Sequence, residues 1–393
     1  MFKRHISIII SSLVLLTGCA SIGPKQIDID REAYNDIVRE TDYEQVLKNI
    51  VRLRYAEPTS YLKVTSVTAS YQFTRSISAT VTGQAMGSGN NAVNPSINTG
   101  TLGVTPSTSY SDAPTISYVP INDATFVAAL QQPVDFHDLA LLVNGGISDD
   151  ELIMRLVFDW VGGLDNASSA ANARVKQIPQ YQEYYTYVQL MLKMIKTRQL
   201  YIDPVEISHS KAGVIIDFTK NNYQSPEALQ IKKMLDIPAS SKDIIMTNQN
   251  IYNLRMGKTG FIEEENSQDL AKNLVFVQMR SLNAMMAFLS HAVQVPEADV
   301  KAGYVPELKD SNGNNYDWSP LMNGLMEIKT SESEPVGAFV KTKVNGHWFY
   351  ISKSDIDSKA TFALLVRLMN MKAGLGVNNS QTSPVITVPV GAR

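Results

Sequence analysis

Sixteen consecutive residues, Val67 to Thr82, alternate between two chemistries. The odd positions are Val67, Ala69, Tyr71, Phe73, Arg75, Ile77, Ala79 and Val81, and the even positions are all Thr, Ser or Gln. A period of two lines up one face of a β-strand, and a helix cannot reproduce it. The run is more than twice the usual strand length of about 5–6 residues. Its surroundings carry almost no charge. Arg75 and Asp112 are the only charged residues in the 59 positions from 64 to 122, where the chain's 19% average would give about eleven. Twenty of those 59 are Ser or Thr. The middle, GQAMGSGNNAVNPSINTG, reads as a hairpin tip. A weaker alternation returns over 101–118, with Leu102, Val104, Tyr110, Ile116 and Tyr118 on even positions. Pro106 and Pro114 mark that arm as an edge or a bent strand.

Two readings of this segment stay open. Each arm is long enough for a membrane strand, which takes about 9–11 residues. A single hairpin cannot span a bilayer, because its edges would be unpaired in lipid, but hairpins from several copies could close a shared barrel. Arg75 stands against this, since a cation on the lipid face costs roughly 2–4 kcal/mol at mid-bilayer. The other reading is a sheet packed on helices, or an arm that pairs with a neighbour, and Arg75 and the prolines favour it. In both, the candidate contact residues are Val67, Tyr71, Phe73, Ile77, Val81, Leu102, Val104 and Tyr110.

The N-terminus predicts where the chain works. MFKRH has two basic residues and no acid, and ISIIISSLVLL follows. This is the pattern of a secretory signal, too short to span a bilayer. It ends in Leu16-Thr17-Gly18-Cys19, which resembles a bacterial lipobox. Cleavage is expected between Gly18 and Cys19, and Cys19 is expected to be acylated. Ala20 rather than aspartate after the cysteine resembles lipoproteins sorted to the outer membrane. Stable anchoring takes more than one acyl chain, which a lipoprotein anchor supplies. Cys19 is the only cysteine, so no disulfide is available to the mature chain. Without Lys3 and Arg4, 33 basic residues face 38 acidic ones, a balance that argues against nucleic acid as a partner.

The expected fold class is α+β. The expected organisation is a signal at 1–18, a lipidated tether at 19–31 and a helical segment at 32–63. A Ser/Thr-rich β segment at 64–121, a helical region at 122–205 and an α+β region at 206–393 follow. Within it, Asp42 and Gln45 have capping-box spacing and predict a helix over 42–56, with Val46, Ile50 and Leu53 on one face and Pro58 beyond its end. Ser148-Asp149-Asp150-Glu151 predicts a second box, opening a helix that runs through Trp160 to Gly162-Gly163. Residues 180–200 read as a helix, 214–218 as a buried strand, and Ser225-Pro226-Glu227 as a helix start. Residues 270–293 predict the longest helix. Asn345-Gly346 joins two strands in the clearest hairpin. A last helix is expected over 358–372 and a strand at VITVPV near the end.

Catalytic signals are few. His137, His209, His291 and His347 have no metal-ligand spacing, and His291 reads as a packing or capping residue. There is no G-x-S-x-G and no H-E-x-x-H. Met256-Gly257-Lys258-Thr259 lacks the first glycine of a phosphate loop, since position 252 is Tyr. Glu263-Glu264-Glu265 reads as a solvated face. Asp355 and Asp357 read as turn and cap residues. No cofactor, metal or catalytic residue is assigned.

The stretches NIVRLRYAEPTSYLKVTSVTASYQF (49–73), MRSLNAMMAFLSHAVQVP (279–296), YDWSP (316–320), GHWFYISKSDIDSKATFALL (346–365) and VITVPVG together resemble a family of uncharacterised bacterial outer-membrane lipoproteins. The resemblance implies a shared fold and an envelope location, and brings no activity. From the residues themselves, Arg52 and Arg54 beside Glu57 read as ion-pairing or interface residues, and the aromatics at 348–350 as packing residues, one face meeting the final helix. The sequence therefore reads as a non-enzymatic, outer-membrane-anchored structural or assembly component. It would be held by acylated Cys19 and would associate with itself or other envelope proteins. The alternatives are an oligomeric pore with one hairpin per subunit and an anchored hydrolase without a recognisable motif.

Overall fold

The computed structural model describes residues 22–68, 71–82, 101–112, 115–120, 124–144, 149–208, 211–248 and 272–375. The fold is α+β, and it separates into two compact units: Leu62–Pro120, and the remainder of the chain. Cys19, Gly18, the hairpin tip, His209, Ser148, the stretches at 256–259 and 263–265, and VITVPV lie outside the described residues.

The larger unit opens with α1 (Ile22–Arg54). This corrects two expectations. Helix occupies most of the expected tether at 19–31, and Asp42-Gln45 lies inside the helix rather than at its start. The reason is local: Pro24 suits a first turn, and neither Gly nor Pro occurs again until Pro58. The C-terminal turns of α1 bury Val46, Leu47, Ile50, Val51 and Leu53. Buried Asn49 then ties down the next loop, donating to the Ser60 carbonyl (2.8 Å) and accepting from its N–H (3.1 Å). Arg54 pairs with an acid, Glu307 (2.6 Å), and Tyr55 donates to Asp299 (2.6 Å).

Two helices, α2 (Ala124–Gln131) and α3 (Phe136–Asn144), precede α4 (Asp150–Val157). The N-cap of α4 is Asp149, whose carboxylate accepts from the Leu152 N–H (3.0 Å). The helix stops at Val157; the residues expected to prolong it through Trp160 fall in β5 (Phe158–Val161), which is followed by β6 (Leu164–Asp165). Gly162-Gly163 is the hairpin turn between them, both at positive φ. A Cβ on Gly162 would sit 2.9 Å from Leu235 and Val275 side chains, so only glycine fits.

Next come α5 (Gln182–Lys196), β7 (Leu200–Ser208), β8 (Lys211–Phe218), α6 (Pro226–Met234, capped by Ser225), β9 (Asp243–Thr247) and β10 (Leu274–Met279). The strands form one mixed sheet in the order β6-β5-β10-β9-β8-β7, parallel only between β9 and β10. It contains strands from both sides of position 205, so the expected division there, with a helical region before it, does not hold. α5 meets the core through Tyr184, Tyr187, Val188 and Met191, the spacing of one helical face.

Residues 270–293 are not one helix. They hold β10, then α7 (Leu282–Ser290), capped by Ser281 (3.2 Å to the Ala284 N–H). The β-rich, nearly uncharged LVFVQM of β10 pairs on both sides in the sheet, and tertiary pairing overrides helical periodicity there. Short helices α8 (Glu297–Lys301) and α9 (Ser319–Met322) lead to β11 (Lys329–Ser331), β12 (Ala338–Val344) and β13 (His347–Ser352). These form a three-stranded antiparallel sheet, its hairpin turning at Asn345 and Gly346, both at positive φ. Phe349 packs edge-on against Tyr55, the residue after α1. The last helix, α10 (Ile356–Leu375), is capped by Asp355, which accepts from the Ser358 N–H (3.0 Å). Its Lys372 pairs with Asp138 of α3 at 2.5 Å, both side chains buried.

Candidate functional site

The smaller unit is built from β1 (Leu62–Thr68), β2 (Tyr71–Thr82), β3 (Thr101–Asp112) and β4 (Thr115–Pro120). β2 pairs antiparallel with β3, and β1 with β4, each pair a sheet of two strands. The register is the functional observation. Phe73 stands opposite Tyr110, Ile77 opposite Pro106, Ala79 opposite Val104 and Val81 opposite Leu102. Three of the intervening pairs are polar on both strands, Thr74 with Ser109, Ser76 with Ser107 and Ser78 with Thr105, and in the fourth Thr80 faces Gly103. The strong alternation of one arm and the weak alternation of the other are thus in phase.

The same phase holds in β1 and β4. Thr68 faces Thr115 and, three residues on, Tyr71 faces Asp112, three residues back. Val67 stands opposite Ile116, and Val64 opposite Tyr118. Leu62 and Val64 are even-numbered where Val67 is odd, a slip that would move them to the other face. A bulge between Val64 and Ser66 absorbs it, leaving Thr65 as the extra residue. Of the eight candidate contact residues, seven therefore share the β2–β3 ladder, and Val67 belongs to β1.

The polar face is open to solvent at Ser76, Ser78, Thr80, Thr105, Ser107 and Ser109, with the Ser76 and Ser107 hydroxyls 2.5 Å apart. Among the described residues both long strands are edges, with no further strand on their outer sides. Twelve residues extend roughly 40 Å. Arg75 stands opposite Thr108, in the run of apolar pairs. Pro106 sits within the ladder, which an edge strand tolerates.

The larger unit holds a second arrangement, which the sequence reading missed. The carbonyls that end α4 have no intrahelical partner, and side chains from elsewhere satisfy them. Arg280, fully buried, donates from Nη1 to Arg155 O and Leu156 O (3.0 Å each), and from Nη2 to Asn166 O. Its backbone N–H donates to Val157 O (2.7 Å). Asn166 donates to Arg155 O (2.9 Å) and Phe158 O (2.6 Å), and Tyr184 to Met154 O (2.7 Å). Asp159 lies 3.3 Å from Arg280 Nε, and the Phe288 ring 4.2 Å from its guanidinium carbon. This cluster terminates α4 where the sequence predicted it to continue. No spacing in the sequence signals it, because Arg280 lies more than a hundred residues from the carbonyls it serves.

His291 caps the C-terminus of α7 and stacks on Trp318, ring centroids 3.8 Å apart. Its Nε2–H donates to the Ala170 carbonyl (3.1 Å). Burial and the Arg54 charge push its pKa down to about 3, so it is neutral at pH 7 and a poor base. Three acids of the adjoining groove are engaged structurally: Asp317 accepts from the Ser319 N–H (2.9 Å), Asp355 caps α10, and Glu327 contacts Lys329 and Gln294. Among the described residues no group of three or more His, Cys, Asp or Glu could hold a metal ion. No helix among them is long and apolar enough to cross a membrane. Compared with known proteins, the chain matches no family model, no curated protein and no solved structure, so its own residues carry the functional reading.

Proposed function

We propose that the protein is an outer-membrane-anchored lipoprotein, held on the periplasmic side by acylated Cys19, and that it is a non-enzymatic assembly component of a cell-envelope complex. The observation that carries this is the pair of ladders β1–β4 and β2–β3, in which apolar residues largely face apolar ones and Ser/Thr face Ser/Thr, and whose long strands have no further strand on their outer sides among the described residues. A two-stranded ribbon is marginal alone in water. Edges of this length are normally blunted by charge, bulge or cover. Here the β2–β3 ladder carries Arg75 and Asp112 as its only charged residues. The simplest partner for such edges is the same ribbon in another copy.

The test is the mass of the full-length protein extracted in detergent, measured by native mass spectrometry. A Ser78→Cys variant is cross-linked in parallel, since Cys19 is the only native cysteine. The expected result is a multimer with ribbon-to-ribbon disulfides between copies. A monomeric mass with no cross-link overturns self-assembly.

A second reading, an oligomeric pore, is favoured by the twelve-residue arms, which meet the length of a tilted membrane strand. Arg75 on the apolar face weighs against it. Conductance in planar bilayers that disappears on deleting 84–100 would decide for the pore.

A further inference from the structure

The larger unit encloses a cavity of about 260 Å³ between α5 and the outer strands of the six-stranded sheet. Its inner wall is Met154, Phe158, Tyr184, Tyr187, Met191 and Ile216, all buried. Its opening is formed by Ala140, Asp150, Ile202, Asp203 and Pro204, which are half-buried or exposed. We propose that this cavity binds a small amphiphilic cation, its apolar body inside and its positive head held at the opening by Asp150 and Asp203.

Three observations point to that class of ligand. The inner wall offers water little to bond, because its side-chain polar atoms are two tyrosine hydroxyls and that of Tyr184 already donates to the Met154 carbonyl at 2.7 Å. Apolar cavities of about 150 Å³ stay dry and take up benzene-sized molecules, so this one suits a larger apolar body. Met154, Met191 and Met246 give it an adaptable lining, as thioether side chains fill irregular shapes.

The polar groups at the opening have one sign. Asp150 and Asp203 are the charged residues that line the cavity, and neither makes an ion pair among the described residues. Burial and the adjacent Asp149 charge hold the Asp150 carboxyl above the usual carboxylate range. A cation beside it would reverse that pressure, whereas an anion would add to it. Concave apolar walls with a few convergent polar groups are the general form of a small-molecule site.

The test is calorimetric titration of the full-length protein in detergent, with micelle blanks subtracted, using three probes of one shape. These are 4-phenylbutylamine, 4-phenylbutanol and 4-phenylbutyrate. The amine is expected to bind at least tenfold more tightly than the carboxylate. Asp150→Asn with Asp203→Asn should bring the two within about threefold of each other and leave the alcohol unchanged. Asp203→Asn alone, on an exposed edge strand, should remove part of the preference without a folding defect. Ala140→Phe should weaken all three probes tenfold or more. No saturable binding, a preference for the carboxylate, or an amine preference that survives both Asn substitutions overturns the proposal.

Discussion

Arg280→Met would remove the side-chain donor to Leu156 O and Asn166 O, leave Arg155 O with Asn166 alone, and leave Asp159 partly buried without its cation. Removing one partner of a buried pair typically costs about 3–5 kcal/mol, and we expect a loss of that size in urea unfolding. Arg280→Lys should recover little of it, because an ammonium cannot serve three carbonyls and a carboxylate in one plane. A loss below about 1 kcal/mol for Arg280→Met would mean that these contacts are incidental. His291 gives a pH prediction. Its pKa is about 3 in the folded protein and near 6.5 unfolded. Between those values the unfolded chain binds more protons, so stability falls as pH drops below about 6.5, by up to about 1.4 kcal/mol per unit, and levels off near pH 3. His291→Phe, which keeps a ring against Trp318, should flatten that part of the profile in unfolding measured from pH 7 to 4. An unchanged slope would assign the acid sensitivity to other groups.

At the scale of elements, the ribbon supplies the sharpest test of phase. Deleting Thr65 removes the bulge and brings Val64 and Val67 into ordinary alternation on the same face, so we expect the assembled mass to survive. Deleting Thr74 turns Tyr71 and Phe73 onto the Ser/Thr face, because a one-residue slip inverts every side chain before it. That variant should lose assembly in native mass spectrometry. Full assembly after deleting Thr74 would show that the apolar face is not the contact. Elements were legible wherever the signal was local. Ser225-Pro226, Asn345-Gly346 and the face of Tyr184, Tyr187 and Val188 each specify their structure within a few residues. The elements misread were those settled from a distance. Residues 274–279 carry helical periodicity but take their strand pairing from β5 and β9. Trp160 follows α4 on the same amphipathic pattern, yet Arg280 and Asn166 end that helix first. Asp42 and Gln45 have the spacing of a cap, but nothing before them breaks the helix.

For the whole molecule, the candidate assembly surface was readable in outline, because alternation and the absence of charge are properties of sequence. Its register was not. Eighteen residues of tip separate the arms, and only the pairing of Val81 with Leu102 shows that the two alternations coincide. The cavity was invisible for the opposite reason: Leu139, Tyr184 and Met246 reach it from three elements, and no short window contains them. A ring of copies would place one such cavity in each subunit, so the proposed assembly and the proposed ligand site are separable by experiment. Either can fail without the other.

The helix that replaces the expected tether changes the mechanics of attachment. With Cys19 acylated as proposed, Ala20 and Ser21 are the only residues between the lipid and Ile22. Aromatic packing of α1 on the body begins at Tyr43, and from Glu32 to Asp42 nine of eleven residues are exposed. The 21 residues from 22 to 42 make about 30 Å of rod at 1.5 Å each. A flexible leash would let the body wander through every distance up to its limit. A strut fixes the distance and leaves only the angle free, so copies anchored in one leaflet hold their bodies at a common height, where collision in two dimensions replaces search in three.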